Sequence, residues 1–171
     1  MNKKHFLKSP VLLDNSHDVS SFDCGEETLN DYLIQFAYIN NKHSSSRTYV
    51  ACRDNKVVGY YTLTIGSVTH EEATSRVSKG MAVHRPVPVI ILARLAVNQN
   101  EQGTGIGKAL LRDALIKATQ GADIISGRAI LVHAKNRKAK DFYQKYGFEP
   151  SPIDEYHLFL LLKDIKKTLK I

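Results

Sequence analysis

The chain has 171 residues, with 43% hydrophobic and 24% charged content, which suits one globular domain over residues 1–171, able to bury roughly 70% of its unfolded surface. Lysine and arginine number 24 against 17 acids, and the net charge of +7 with a pI near 9.4 points to a polyanionic partner and away from cationic substrates. Two cysteines make no disulfide framework, seven scattered histidines show no metal-ligand spacing, no stretch reaches membrane-spanning length, and Met1–Leu13 lacks the apolar core of a signal peptide, so the expectation is a cytoplasmic, metal-free protein without membrane contact.

Val11–Leu13 is a short first strand. Asp23 and Glu26 stand at capping-box spacing, and Leu29, Tyr32, Leu33, Phe36 and Ala37 then recur at helical period, predicting a helix over about Glu26–Asn41. The polar stretch Asn40–Ser46 reads as a loop. Thr48–Cys52 and Val57–Thr64 are β-rich runs flanking Asp54-Asn55, which signals a hairpin. Ser67–Pro88 has no firm periodicity and is expected to hold a weak helix near Glu71–Val77, followed by a mobile basic connection. Val89–Val97 is continuously apolar apart from Arg94 and reads as a central strand.

A turn with Gly103, Gly105 and Gly107 follows that strand, then an amphipathic helix from Ile106, for which Gly121 offers a stop. Ala129–Ala134 is the next strand, Arg137–Tyr146 the next helix, ended by Gly147, and His157–Leu162 a last strand before a lysine-rich, frayed helix at Lys163–Ile171. The alternation gives an α/β fold, a mixed sheet flanked by helices.

A glycine-rich turn at a helix start presents free backbone N–H groups to an anion. Two phosphate motifs are excluded by spacing. A P-loop needs four residues between its glycines and Ser or Thr after the Lys, whereas Gly103 and Gly107 are separated by three and Ala109 follows Lys108. A dinucleotide fingerprint needs its third glycine where Lys108 stands. What remains, Gln102-x-x-Gly105-x-Gly107, is read either as an anion seat or as a tight turn with glycines at positive φ.

No acid lies between Glu72 and Glu101, only Arg76, Lys79, Arg85 and Arg94, and none between Asp123 and Asp141, a window with Arg128, Lys135, Arg137, Lys138 and Lys140. These windows read as a nucleic-acid face or a solvated basic surface. His133, inside an apolar run, reads as a strand residue and not a base. Tyr143 shares a helical stripe with Ala139, Phe142 and Tyr146, which by spacing alone reads as core.

The hexad after a strand resembles the acetyl-CoA pyrophosphate loop of the GNAT superfamily of N-acetyltransferases, and Phe142-Tyr143-x-x-x-Gly147-Phe148 resembles the GNAT segment that closes over pantetheine and thioester. Phe22-Asp23-Cys24-Gly25, Val58-Gly59-Tyr60-Tyr61-Thr62-Leu63, Arg94-Leu95-Ala96-Val97 and Leu131-Val132-His133-Ala134 narrow the resemblance to the tRNA-acetylating GNAT toxins of bacterial toxin–antitoxin pairs, over roughly Val11–Lys163.

The resemblance implies a GNAT fold, with the sheet splayed between two central strands around acetyl-CoA. It implies that backbone groups of Leu95, Ala96 and Val97 hold pantetheine and acetyl carbonyl, that Gln102, Gly103, Gly105 and Gly107 hold the diphosphate, that Asn136 contacts the cofactor, and that Tyr143 is the general acid protonating the CoA thiolate. It further implies acetyl transfer to the α-amine of an aminoacyl-tRNA, which blocks translation, a ribbon–helix–helix antitoxin, operator DNA bound through the antitoxin complex, and a homodimer. The inventory agrees on the acceptor: the central strand offers no carboxylate base, a lysine amine of pKa ~10.4 needs one, and an α-amine near ~7.7–8 does not. Arg76, Lys79, Arg85, Arg94, Lys138 and Lys140 are the expected tRNA contacts, made to backbone and acceptor end. The alternative is a GNAT acetyltransferase of a small amine or a protein lysine.

Overall fold

The computed structural model describes residues 5–171; the first four residues of the stretch read for a signal peptide lie outside them. In chain order the elements are β1 (Val11–Leu12), α1 (Glu27–Asp31), a π-helical turn (Tyr32–Phe36), α2 (Ala37–Lys42), β2 (Arg47–Arg53), β3 (Lys56–Val68), α3 (Ser75–Ser78), β4 (Val87–Val97), a 3-10 turn (Gln99–Glu101), α4 (Ile106–Ile125), β5 (Ala129–His133), α5 (Arg137–Lys145), β6 (Glu149–Pro150), β7 (His157–Leu161) and α6 (Leu162–Leu169). The strands form one seven-stranded mixed sheet in the order β1-β2-β3-β4-β5-β7-β6. Strands β4 and β5 pair parallel, from Val89↔Ala129 to Leu92↔Val132, whereas β1–β2, β2–β3, β5–β7 and β6–β7 are antiparallel. The α/β expectation is met, with two compact units by chain contacts, each with its own core.

One unit takes residues 5–64 and Arg94–Ala114. Its hairpin turns at Asp54-Asn55, with Asp54 at φ 53°, and pairs Thr48 with Thr62. Their buried hydroxyls lie 2.8 Å apart, so neither is left without a partner. Tyr60 is fully buried against the edge of Phe22 and the face of Tyr32, and its hydroxyl donates to the Leu29 carbonyl at 2.7 Å, tying helix to sheet.

The helix predicted over Glu26–Asn41 is present, but a π-helical turn interrupts it. Its i→i+5 bond, from Ala37 N–H to the Tyr32 carbonyl, brings Tyr32 and Ala37 into line on the buried side. The expected capping box does not form. Gly25 turns the chain at φ +90°, and Asp23 accepts from Gly25 N and Asn30 Nδ2 instead (2.9 and 3.0 Å), which holds its carboxyl below the usual range.

Gly59 on β3 sets how closely α4 approaches. A Cβ there would stand 2.9 Å from Leu110 Cδ1, 3.3 Å from Ile106 Cγ2 and 3.4 Å from the Ala96 carbonyl. Only a residue without a side chain lets the first turns of α4 lie on β3 at this depth.

The other unit takes Ile65–Ala93 and Leu115–Ile171, around Val68, Val77, Val87, Val89, Ala129, Leu131, Phe159 and Leu161. Three expectations are corrected here. Helix α4 passes through Gly121 to Ile125 and stops where Ser126 and Gly127 take φ 105° and 156°; one half-buried glycine within a helix costs only ~1 kcal/mol. The connection Ser67–Pro88 is shorter than expected, because β3 runs to Val68, and its helix is one turn, capped by Thr74 Oγ1 accepting from Val77 N. It is also tied down: Arg128 donates to the Val77, Arg76 and Lys79 carbonyls (2.9, 3.3 and 3.2 Å) and Ser151 Oγ to the Glu72 carbonyl (2.6 Å). Strand β6 is too short to leave a periodic signal.

Candidate active site

The first unit brings Arg94, Leu95, Ala96, Val97 and the loop to Gly107 together. Ala96 is buried in the core with Tyr32 and Tyr60, which fixes the end of β4. Leaving β4, Asn98 N donates to the Val58 carbonyl (2.8 Å), Gln99 N to the Asp23 carbonyl (2.8 Å), and Asn98 Oδ1 accepts from Asp23 N (2.8 Å). Gln102 is committed as well: its Nε2 donates to the Val97 carbonyl at 2.9 Å and the Cys24 carbonyl at 3.0 Å. The motif glutamine therefore holds the loop in shape through its side chain, and its N–H closes the 3-10 turn on the Gln99 carbonyl at 3.3 Å, so the main chain open to a ligand begins at Gly103.

Gly103 and Gly105 take φ +77° and +91°, and nothing lies within 4 Å of where a Cβ would stand on either. The tight-turn reading is met at Gly103 and Gly105, which take positive φ, and the turn runs into α4, whose first ladder bond runs from Ala109 N to the Gly105 carbonyl. An open backbone cradle at the start of a long helix fits a diphosphate.

Arg94 lies half-buried with its guanidinium 3.5 Å from the centroid of the Tyr32 ring and makes no ion pair among the described residues. A guanidinium stacked on an aromatic face keeps its edge donors for an anion.

The second unit holds Asn136, Lys138, Lys140 and Tyr143 on one element. Asn136 is the N-cap of α5, its Oδ1 accepting from Ala139 N at 2.9 Å, so only its amide N–H groups remain for a cofactor. At the other end Gly147 takes φ +93° and turns the chain so that Phe148, itself buried, meets the Tyr143 ring edge-on at 5.4 Å. This accounts for the Phe-Tyr-x-x-x-Gly-Phe spacing.

Tyr143 is 7% exposed. Its hydroxyl bonds to no protein group among the described residues, yet no enclosed side-chain N or O among them lacks a partner, so this oxygen is not fully enclosed. Burial pushes its pKa well above the ordinary tyrosine value, keeping the proton in place at neutral pH. Stripe and acid readings are compatible: the ring is core and the hydroxyl is not.

The basic candidates divide. Lys140 is buried and paired with Glu155 at 2.8 Å, and Arg76 is taken by Asp164 at 2.7 Å and Glu149 at 3.5 Å. Lys79, Arg85 and Lys138 are exposed and in no ion pair among the described residues. Arg85 lines, with Thr69, Glu72 and His84, a cavity of about 350 Å³. His133 stacks on His157 at 4.0 Å, and burial first, then that neighbour, lowers its pKa, in line with a strand residue. No group able to hold a metal ion occurs among the described residues, and no helix there is long and apolar enough to cross a membrane.

Sequence reasoning missed the loop's anchors. Arg53 grips Glu101 with two bonds, Nε to Oε1 at 2.7 Å and Nη2 to Oε2 at 3.0 Å, and donates from Nη1 to the His5 carbonyl at 2.7 Å. No local pattern joins residues this far apart in the chain.

Known proteins agree with this geometry. The acetyltransferase (GNAT) domain family matches residues 44–150. A tRNA-acetylating toxin of Mycobacterium tuberculosis is 49% identical over 161 residues, 94% of this chain and 96% of that protein. The AtaT toxin complexed with acetyl-methionyl-tRNAfMet matches with a TM-score of 0.87 at 29% identity, over 96% of this chain and 99% of that one. A Tyr→Phe mutant of AtaT, bound to the C-terminus of the antitoxin AtaR and to acetyl-CoA, matches with a TM-score of 0.81 at 28% identity, over 97% and 99%. This chain belongs to the GNAT acetyltransferase family and, within it, to the tRNA-acetylating toxins.

Proposed function

We propose that this enzyme transfers acetyl from acetyl-CoA to the α-amine of an aminoacyl-tRNA, and that residues 1–171 act as one acetyltransferase domain. The observation that carries the mechanism is the Tyr143 hydroxyl, protonated and uncommitted at the tip of a buried ring. The acceptor rests on identity to a tRNA-acetylating toxin over nearly the whole chain.

Backbone groups of Leu95, Ala96 and Val97 take pantetheine and acetyl carbonyl, the main chain of Gly103, Gly105 and Gly107, in the loop that Gln102 holds, takes the diphosphate, and the Asn136 amide meets the cofactor. The neutral α-amine attacks the thioester carbonyl, the C–S bond breaks, the thiolate takes the proton of Tyr143, and the new amide nitrogen loses its own to water. Strand β4 carries no Asp or Glu, consistent with an amine already neutral near pH 7–8. A thiolate formed in an apolar site is itself made more basic, which offsets part of the raised pKa of the tyrosine that protonates it.

The acceptor end is held through its phosphates by Lys79, Arg85, Lys138 and Arg94, with Arg76 and Lys140 contributing less because acids already neutralise them. In the cytoplasm the partner is a ribbon–helix–helix antitoxin, the pair binding operator DNA, and the enzyme is a homodimer; co-purification, an operator shift and sedimentation check these three. Labelled acetyl-CoA offered with charged tRNA, uncharged tRNA, a polyamine and a lysine peptide tests the acceptor. Label should follow charged tRNA alone, and preferential labelling of polyamine or peptide would mean a GNAT enzyme of small amines or protein lysines.

A further inference from the structure

We infer that Arg53 is a positioning residue for acetyl-CoA, acting through its ion pair with Glu101 to preset the loop Gln102–Gly107 before the cofactor arrives. This rests on the reading of that loop as the diphosphate cradle.

The loop is fixed on one side and open on the other. Arg53, the last residue of β2, reaches the Glu101 carboxylate with both Nε and Nη2, a fork geometry that sets orientation as well as distance. The pair is shielded, with side chains 35% and 17% exposed, so water and salt compete for it less than for a surface pair. Thr104 Oγ1 donates to the Glu101 carbonyl, and Glu101 N donates to the Asn98 carbonyl at 2.9 Å, so Glu101 is the hub of the turn. The Asp23 bonds to Asn98 and Gln99 and the Gln102 bond to Cys24 hold the same turn from the segment before α1.

Nothing lies within 4 Å of where a Cβ would stand on Gly103 or Gly105. Two unhindered glycines sample many backbone states, and a ligand that must order them binds more weakly by that entropy. The clamp removes the cost ahead of binding. Its effect therefore falls on affinity for acetyl-CoA and not on the chemical step, nor on affinity for the acceptor.

Acetyl-CoA binding by full-length protein, measured by titration calorimetry without any acceptor, and steady-state kinetics on Arg53→Ala, Glu101→Gln, Arg53→Lys and the reversed pair Arg53→Glu with Glu101→Arg test this. Expected is about a tenfold weaker Kd and higher KM for acetyl-CoA in Arg53→Ala and Glu101→Gln, with kcat at saturation within about twofold. Partial recovery is expected in Arg53→Lys, which keeps the charge and loses the fork, and fuller recovery in the reversed pair. Unchanged affinity with only a lower Tm would reduce the clamp to a role in folding and overturn the inference, as would a fall in kcat at unchanged Kd. If Arg53→Ala does not fold, Glu101→Gln, which keeps size and shape, decides. A protein that binds acetyl-CoA in this clamp-dependent way but acetylates no aminoacyl-tRNA contradicts the proposed acceptor alone.

Discussion

The loop from Asn98 to Gly107 and the segment from Asn136 to Phe148 are built in opposite ways. In the loop four polar side chains are spent on the protein, Asn98 on Asp23, Glu101 on Arg53, Gln102 on Val97 and Cys24, and Thr104 on the Glu101 carbonyl, and the glycine main chain from Gly103 onward is what is offered to a ligand. In the segment the main chain is an ordinary capped helix, and what is offered is side-chain tips, the Asn136 amide, the Lys138 ammonium and the Tyr143 hydroxyl. Binding groups made of backbone depend on residue type only through conformation and anchoring, whereas a reacting group depends on a single atom. Substitutions in the loop should change affinity; the substitution at Tyr143 should change rate.

The sharpest break between them is Tyr143→Phe, which removes the proton donor and keeps the ring that Phe148 packs on. Expected is a loss of ~10²–10⁴-fold in kcat with acetyl-CoA affinity unchanged, read by single-turnover kinetics beside calorimetry; equal turnover of mutant and wild type would remove the general-acid assignment. The pH profile of the intact enzyme should rise as the α-amine loses its proton, then stay flat through the ordinary tyrosine range. The sign follows from burial, which raises the Tyr143 pKa, so the acid form is lost only at still higher pH.

Gly59→Ala probes the support of the loop. The added methyl meets Leu110, Ile106 and the Ala96 carbonyl, and a destabilisation of ~1–3 kcal/mol is expected in thermal or urea unfolding. Gly105→Ala acts on the loop itself, forcing a Cβ into φ +91° at ~1–2 kcal/mol, with acetyl-CoA Kd weakened by about 5–30-fold and kcat kept. The smallest effects are on the basic face. Lys79→Ala, Arg85→Ala and Lys138→Ala should each weaken tRNA binding and lower its salt slope by about one, while Arg76→Ala and Lys140→Ala, whose charges are already paired, should lower it less.

Most of the candidate site was legible in the sequence where it is local. The hexad after an apolar run marks strand, turn and helix because the glycines, the missing P-loop spacing and the helical period all lie within one stretch, and Phe142 to Phe148 does the same for α5 and its stop. The cap at Asp23 misled because Gly25 turns the chain through a positive φ that no spacing rule encodes. Gly121 misled because a single glycine is tolerated inside a long helix. The π-helical turn at Tyr32–Phe36 and the pairing of Arg53 with Glu101 were invisible for a different reason: both are set by what the chain packs against, the first by Tyr60 and Ala96 beneath it and the second by residues distant in the sequence. Charge counts found the basic windows, but only geometry separated Arg76 and Lys140, which have carboxylate partners, from Lys79, Arg85 and Lys138.

The most direct test of the proposed function is the mass of the aminoacyl group released after incubating the enzyme with acetyl-CoA and a full set of charged tRNAs. The account predicts that at least one aminoacyl group gains one acetyl on its α-amine, and that Tyr143→Phe lowers the amount formed by the same factor as kcat. Unmodified α-amines on every aminoacyl-tRNA, with acetyl-CoA bound and intact, would contradict it.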